Sequence, residues 1–307
     1  MIETNRVLRS VVACPLCRGG LDAKWSCALC GRVFSTVEGR PVLTTDVGGD
    51  VVKDNAVIRA QARERTGARR AGLRGVADRL RDAMTADLFG DDRTQVRALV
   101  DAVAGTIPEG CPVVDVGACE QYYRAQLDRL GPVLALDVAL YGATDVVADA
   151  HAMPFKSDSL GGIVVIEVLE HLRRPWQFFA EAQRTLTKGG VLMGVAPQYC
   201  PTHGFPNDYF RYTKSGLASL AESHGLEVEA LWPVGGRWAT LLHWYWANHA
   251  RENPLRRVAG IGVAYHGWFQ GVAKALEALD EREGRGGGAP SGEHQDHVGW
   301  SFVFRKR

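Results

Sequence analysis

The chain has 307 residues, 46 % of them apolar and 23 % charged, with a formal net charge of +1. This is enough for about two domains at ~150 residues each, and the near-neutral balance excludes a chain built wholesale for nucleic acid or anionic lipid. No apolar run reaches the ~20 residues of a membrane span, and the opening MIETNRVLRSVVAC lacks the apolar core of a secretion signal, so no membrane partner is expected.

Seven cysteines, an odd number, include two CxxC pairs. That usage fits a reducing compartment and a metal site better than a disulfide framework, and a cytoplasmic location is expected. The pairs are Cys14-Pro-Leu-Cys17 and, nine residues on, Cys27-Ala-Leu-Cys30 followed by Gly31. Two thiolates on each of two tight turns supply four tetrahedral ligands, a closed and therefore structural zinc site. Gly31 permits the backbone such a knuckle needs. Short strand-like pieces, Lys24-Trp25-Ser26 and Arg32-Val33-Phe34-Ser35, flank the second pair. So small a unit buries little core of its own, and metal binding contributes its folding energy. The stretch CPLCRGGL…CALCGRVFSTVEGRPVLT resembles the small zinc-ribbon activator subunit of tRNA and translation-factor methyltransferases, here joined to a larger domain. The ribbon is expected over residues 10–46.

Residues 47–93 are expected to form a helical connector. Eight arginines fall between Arg59 and Arg81, opposed by Glu64 and Asp78. Alanine, leucine and arginine favour helix, which Gly67, Gly72 and Gly75 interrupt. The segment is either a phosphate-gripping arm or a solvated helix packing Leu73, Val76 and Leu80. The absence of interleaved aromatics favours the second.

From residue 94 helix and strand alternate. Thr94–Ala104 has helical periodicity, Cys111–Val116 is a buried-type strand, Gln121–Leu130 a helix and Val133–Asp137 a strand. The run Gly161–Ile166 follows, then helix Gln177–Leu186, strand Gly190–Ala196, helix Thr213–His224 and strand Leu226–Leu231. This alternation implies an α/β layered sheet with both faces covered, whose ligands bind beyond the carboxyl ends of the strands.

Acidic residues stand at those ends. Asp115 closes the first strand, Asp137 the second, and Asp149 follows the third. Three such carboxylates suit an amino group, a ribose diol and an adenine amine, the donors of S-adenosylmethionine. A dinucleotide wants GxGxxG with its pyrophosphate on a helix N-terminus; here Gly117 and Ala118 lead to Cys119, and Glu120 would repel a pyrophosphate. A cysteine fits the place of a second loop glycine if its φ is negative and its sulfur turns away.

The blocks VVDVGACEQYYR, LALD, VADAHAMPF, IVVIEVLEHLRRPWQFFAEAQRTLTKGGVLMGVAP and PTHGFPNDYFRYTKSGLASL resemble class I methyltransferases. They are most similar to the branch with a GxGEQxYR-type loop found beside bacterial glycan and natural-product genes. The resemblance covers about residues 110–235. It implies a Rossmann-like seven-strand sheet whose last strand is antiparallel, supplied by VGWSFVFRKR, in a domain over 94–307. Asp115, Gly117, Ala118, Cys119, Asp137, Asp149, Ala150 and Glu167 are then the expected S-adenosylmethionine-binding residues.

Methyl transfer demands alignment and, for an alcohol or amine, loss of a proton. The loop PTHGFPNDYFRYT concentrates polar side chains above a sheet end. It places His203 first among candidate bases, with Asp208 and His171 behind it. Arg211 either holds an anionic group or pairs with Asp208. Tyr209, Tyr212 and Trp238 are candidate acceptor contacts. An aromatic-rich helical insertion is expected over 236–280, lining a pocket or a homodimer face, with Trp244, Tyr245, Trp246 and Trp268 beside Trp238. Residues 284–297 are expected to be a flexible loop whose His294 and His297 are not metal ligands. The expected activity is methyl transfer to a hydroxyl, or an amine, of a small metabolite or sugar. The rivals are an RNA methyltransferase using the ribbon and arginine segment, and a non-methylating binding protein on the same fold.

Overall fold

The computed structural model describes residues 2–45, 92–119, 121–203, 207–238, 240–241 and 297–307, with a few positions between 268 and 278. The arginine-rich segment, Trp244, Tyr245, Trp246, His294 and most of the expected insertion and glycine-rich loop lie outside the described residues.

Helix α1 (Ile2–Val11) precedes the cysteine pairs, and strands β1 (Thr36–Val37) and β2 (Arg40–Pro41) form a small antiparallel ribbon after them. Helix α2 (Asp92–Val103) opens the larger unit. It leads to β3 (Val113–Val116), a short α3 (Arg124–Leu127), β4 (Val133–Asp137), β5 (Val146–Val147) and β6 (Leu160–Ile166). Helix α4 (Pro175–Thr185), β7 (Leu186–Pro197), α5 (Lys214–Ser223), β8 (Leu226–Val234) and β9 (Gly299–Lys306) complete it. The strands form one seven-stranded sheet in the order β5-β4-β3-β6-β7-β9-β8. From β5 to β7 the pairing is parallel, and β9 runs antiparallel between β7 and β8. This is the architecture of a class I methyltransferase, including the antiparallel last strand.

The central strands are short apolar runs because both faces are covered. Successive side chains go to opposite faces, and the two cores record it. Val113, Val164, Met193 and Val303 pack with Val96, Leu99, Val100 and Val103 of α2. Val114, Ile163, Leu192 and Phe302 pack with Phe178 and Phe179 of α4. The helix expected over Gln121–Leu130 is shorter: α3 gives way to a 3-10 turn at Asp128–Leu130. α1 is a helix without a counterpart in the sequence expectation.

The N-terminal unit is not a bead on a string. Leu8, Val11, Val12, Cys14, Trp25 and Phe34 belong to the same core as Val114 and Phe179. Val12 bridges Phe155, and Val42 lies parallel to Val147, continuing the sheet beyond β5. Arg18 donates to the Met153 carbonyl at 3.0 Å and to Glu181 at 2.9 Å, and Arg40 donates to the Gly142 carbonyl at 2.6 Å. No helix among the described residues is long and apolar enough to cross a membrane.

Phe155 is fully buried at this junction. Phe155→Ala is expected to cost about 3–5 kcal/mol in urea unfolding and to expose the cysteine unit together with the sheet, seen as earlier thiol labelling.

Candidate functional site

The four N-terminal thiols converge. All lie within 4.8 Å of one another, with Cys14 Sγ 3.7 Å from Cys30 Sγ and Cys17 Sγ 3.4 Å from Cys27 Sγ. These spacings are far longer than a disulfide's ~2.05 Å and close to the ~3.8 Å edge of a tetrahedron with ~2.3 Å metal–sulfur bonds. The residues present therefore fit zinc. Both knuckles are built alike. Arg18 donates its backbone N–H to the Cys14 carbonyl and Gly31 to the Cys27 carbonyl, each at 2.9 Å, and both have positive φ, +64° and +71°. Gly31 was foreseen; Arg18, its equivalent, was not. Nor was Gly19, where a Cβ would stand 2.8 Å from Leu29 Cβ and 3.0 Å from Cys27 Sγ. The backbone N–H of Cys30 holds the Cys27 thiol down at about 7.

At the carboxyl edge of the sheet, Asp115, one residue before the end of β3, and Asp137, the last residue of β4, are each 4 % exposed. Burial first, and then the neighbouring Asp137 charge, pushes Asp115 up to about 7; burial pushes Asp137 up as well. Asp137 accepts from the Ala139 N–H at 2.9 Å and from the Cys119 N–H at 3.0 Å, pinning the loop after β3. Gly117 has φ +72°, and a Cβ there would meet Val168 Cγ2 at 2.5 Å. Ala118 is buried beside it. Cys119 departs from expectation, since its φ is +47°. A left-handed non-glycine residue stores strain, and the Asp137 bond holds it. Asp149 Oδ1 accepts from the His151 backbone N–H at 2.9 Å and from Nδ1–H at 2.6 Å, capping the turn that contains Ala150. Glu167, just past β6, also has positive φ, +51°.

The loop after β7 closes over the end of β6. Asp208 accepts both arms of Arg211, at 2.5 and 2.8 Å, and the His203 backbone N–H at 2.8 Å. Arg211 also donates to the carbonyls of Cys200 (2.7 Å) and Pro201 (3.1 Å). The hydrogen bonds from Arg211 hold the Asp208 carboxyl down at about 2. Arg211 is thus a loop staple, the second of its two expected readings. Tyr212 is buried, and its hydroxyl donates to the Leu169 carbonyl at 2.8 Å; it anchors the loop rather than presenting a face to an acceptor. Tyr209 is exposed and donates to Asn207 Oδ1 at 3.0 Å. Trp238 follows β8, with the Arg237 guanidinium 5.5 Å over its ring. Trp268 is exposed. His297 is buried and donates to the Gly235 carbonyl at 2.9 Å.

His203 and His171 face each other edge to face, ring centroids 4.9 Å apart. His171 ends a 3-10 turn, Leu169–His171, ahead of α4. Both Nε2 atoms point at Glu170, a fully buried carboxylate that the sequence reading passed over. The Cys200 sulfur, 3.5 Å from Nδ1, and then Glu170 push His203 up to about 10. The pattern Glu170-His171, two titratable groups on one turn after a strand, was the signal available for this cluster.

Residues 114–194 match the family model described as a methyltransferase domain. The chain is 29 % identical over 199 residues to an uncharacterized methyltransferase of Mycobacterium avium, covering 50 % of this chain and 77 % of that protein. It is 32 % identical over 145 residues to the demethylmenaquinone methyltransferase of Renibacterium salmoninarum, covering 43 % and 60 %. Among solved structures it is similar, at 19 % identity and TM-score 0.40, to the Haloferax volcanii complex of the Trm112 methyltransferase activator with a methyltransferase, covering 52 % of this chain and 77 % of that one. These similarities, together with the strand order above, support an S-adenosylmethionine-dependent methyltransferase of the class I fold.

Because Arg211 closes the loop, Arg211→Lys removes a planar fork that a lysine does not replace. Hydrogen exchange is expected to quicken at the amides of His203 and Tyr212 while β6 and β7 stay protected.

Proposed function

We propose that the enzyme methylates a hydroxyl, or with lower preference an amine, of a small metabolite or sugar, and that a structural zinc holds its N-terminal ribbon. The observation that carries the cofactor site is the pair of buried carboxylates, Asp115 and Asp137, each pushed up at adjacent strand ends. Two like charges in one dry place call for hydrogen-bond donors and positive charge. S-adenosylmethionine brings both: an ammonium, a sulfonium and a ribose diol.

In this reading Asp137 takes the ribose hydroxyls while Asp115 faces the amino-acid end. Gly117, Ala118 and Cys119 lie along the ligand with their backbone. Asp149 and Ala150 border the adenine, and Glu167 borders the methyl. The acceptor enters beside Tyr209 and Trp238, against the loop that carries His203. The acceptor hydroxyl gives its proton to water, and its oxygen lone pair forms the new C–O bond. The methyl–sulfur bond breaks with its electron pair left on sulfur, yielding S-adenosylhomocysteine. His171 and His203 position and polarise the oxygen, while Asp208 and Arg211 position His203. No specific observation favours an RNA acceptor, and the arginine-rich segment that would grip it lies outside the described residues.

Zinc at Cys14, Cys17, Cys27 and Cys30 would cross-link the ribbon's closed thiolate set and cancel two of its four negative charges. With one zinc per chain, X-ray absorption at the zinc edge is expected to show four sulfur ligands at ~2.3 Å, lost in the Cys14→Ser/Cys17→Ser double variant. A zinc-free or disulfide-linked preparation with an intact ribbon would remove the metal from this reading.

Asp137→Ala is expected to weaken S-adenosylmethionine binding by about 1.5–3 kcal/mol, the scale of a charged hydrogen-bond partner, in titration calorimetry. Unchanged affinity would mean the ribose sits elsewhere. The acceptor class is read by transfer of labelled methyl to a panel of sugars, hydroxylated metabolites, amines and RNA.

A further inference from the structure

We propose that Glu170, His171 and His203 form a divalent-metal site of zinc or ferrous type, which receives the acceptor oxygen. The site itself stands on geometry alone; the role toward the acceptor rests on the function proposed above.

Glu170 is fully buried, yet neither of its carboxylate oxygens has a hydrogen-bond partner among the described residues. A buried, unpaired carboxylate is costly, and nearly all such groups in folded proteins are satisfied. What faces it is two histidine nitrogens. His171 Nε2 lies 3.7 Å and His203 Nε2 3.6 Å from Glu170 Oε1, too far for hydrogen bonds. The same spacing is close to the ~3.4 Å edge of a tetrahedron with ~2.1 Å metal–nitrogen and metal–oxygen bonds. All three ligand atoms lie within 4.8 Å of one another.

The ring orientations point the same way. His171 Nδ1 is 2.5 Å from the Asn207 carbonyl, and His203 Nδ1 is 3.2 Å from the Pro201 carbonyl. A carbonyl only accepts, so each Nδ1 carries the hydrogen, and in the neutral ring the lone pair is on Nε2. Two ring nitrogens and a carboxylate oxygen then face one gap, which a cation would satisfy, either a proton on Nε2 or a metal in its place. A backbone carbonyl on the far ring nitrogen is the usual outer-sphere support of a metal-binding histidine. The Arg211–Asp208 staple described above fixes the loop that delivers His203.

Two imidazoles and one carboxylate suit zinc or ferrous iron. Three protein ligands leave a position open, and the histidine side is partly exposed, 29 % and 32 %, whereas Glu170 is sealed beneath. An acceptor hydroxyl in that position would lose its proton to water more readily before its oxygen takes the methyl. This favours oxygen acceptors over amines, which arrive with a lone pair already free.

The test counts zinc per chain by elemental analysis after equilibrium dialysis, in the full chain and in Glu170→Gln and His203→Ala. The wild type is expected to hold about one zinc more than either variant, and each variant to bind zinc at this site at least ~10-fold more weakly, the scale seen even for outer-sphere losses. That difference is independent of the ribbon, which contributes equally to all three. His203 is partly exposed, so His203→Ala is the variant that keeps its fold if Glu170→Gln does not; thermal stabilisation by S-adenosylhomocysteine checks folding. Equal zinc content in all three proteins overturns the site. If the zinc difference appears without cofactor binding, the metal site holds and the methyl-transfer role fails; cofactor binding without the difference gives the reverse.

Discussion

Buried parallel strands can carry ionisable groups at their ends and almost nowhere else. In this protein β3, β4 and β6 are covered on both faces, and every residue of each is buried. Water and ligands therefore meet the sheet at its carboxyl edge. Asp115 and Asp137 sit there as the last polar groups before the loops, held in too little water to ionise easily. The tight turn at Gly117 and the strained Cys119 follow from the same crowding, because the loop must leave the sheet without covering those carboxylates. The loop after β6, with Glu170 and His171, lies at the neighbouring strand end. In the proposed reading, cofactor and acceptor chemistry would be adjacent because β3 and β6 are hydrogen-bonded neighbours.

The N-terminal unit solves a different problem. A segment with two short strands and two thiol-bearing turns has too little apolar surface to stand alone. Here its apolar side chains enter the core of the sheet, and Val42 takes a place beside β5. Arg18 does two things at once: its left-handed backbone completes a knuckle, and its guanidinium reaches Glu181 and the Met153 carbonyl. A metal-ordered ribbon would thus stiffen one whole face of the enzyme. The N-terminal unit thereby covers surface that the larger unit would otherwise leave to solvent.

Polar residues on a loop divide into those that act and those that hold. In the segment from Cys200 to Tyr212, Arg211 is spent on Asp208 and two carbonyls, and Tyr212 on Leu169. These bonds satisfy backbone groups that a loop has no ladder to satisfy. They leave Tyr209 exposed and His203 partly exposed over Glu170. An arginine and a carboxylate three residues apart are as consistent with a staple as with a binding site, and here the staple is what sets the position of His203.

Local spacing was enough for much of this. Alternation of apolar runs determined the order of helices and strands, and Val133–Asp137 falls on β4 to the residue. The paired CxxC turns determined that four sulfurs would meet, because each turn is closed within a few residues. The acid at each strand end was legible for the same reason: a strand's last residue is a local property. Other features depend on partners distant along the chain. That Cys119 adopts positive φ follows from Asp137, eighteen positions on. The burial of α1 and the cysteine unit in a common core depends on Phe155 and Val147. Glu170 reads as one more helical-turn glutamate until the loop after β7 brings His203 back over it. Periodicity and spacing report what a residue does with its near neighbours; whether a buried carboxylate meets two imidazoles is decided by which strands lie side by side, and that is a property of the tertiary structure.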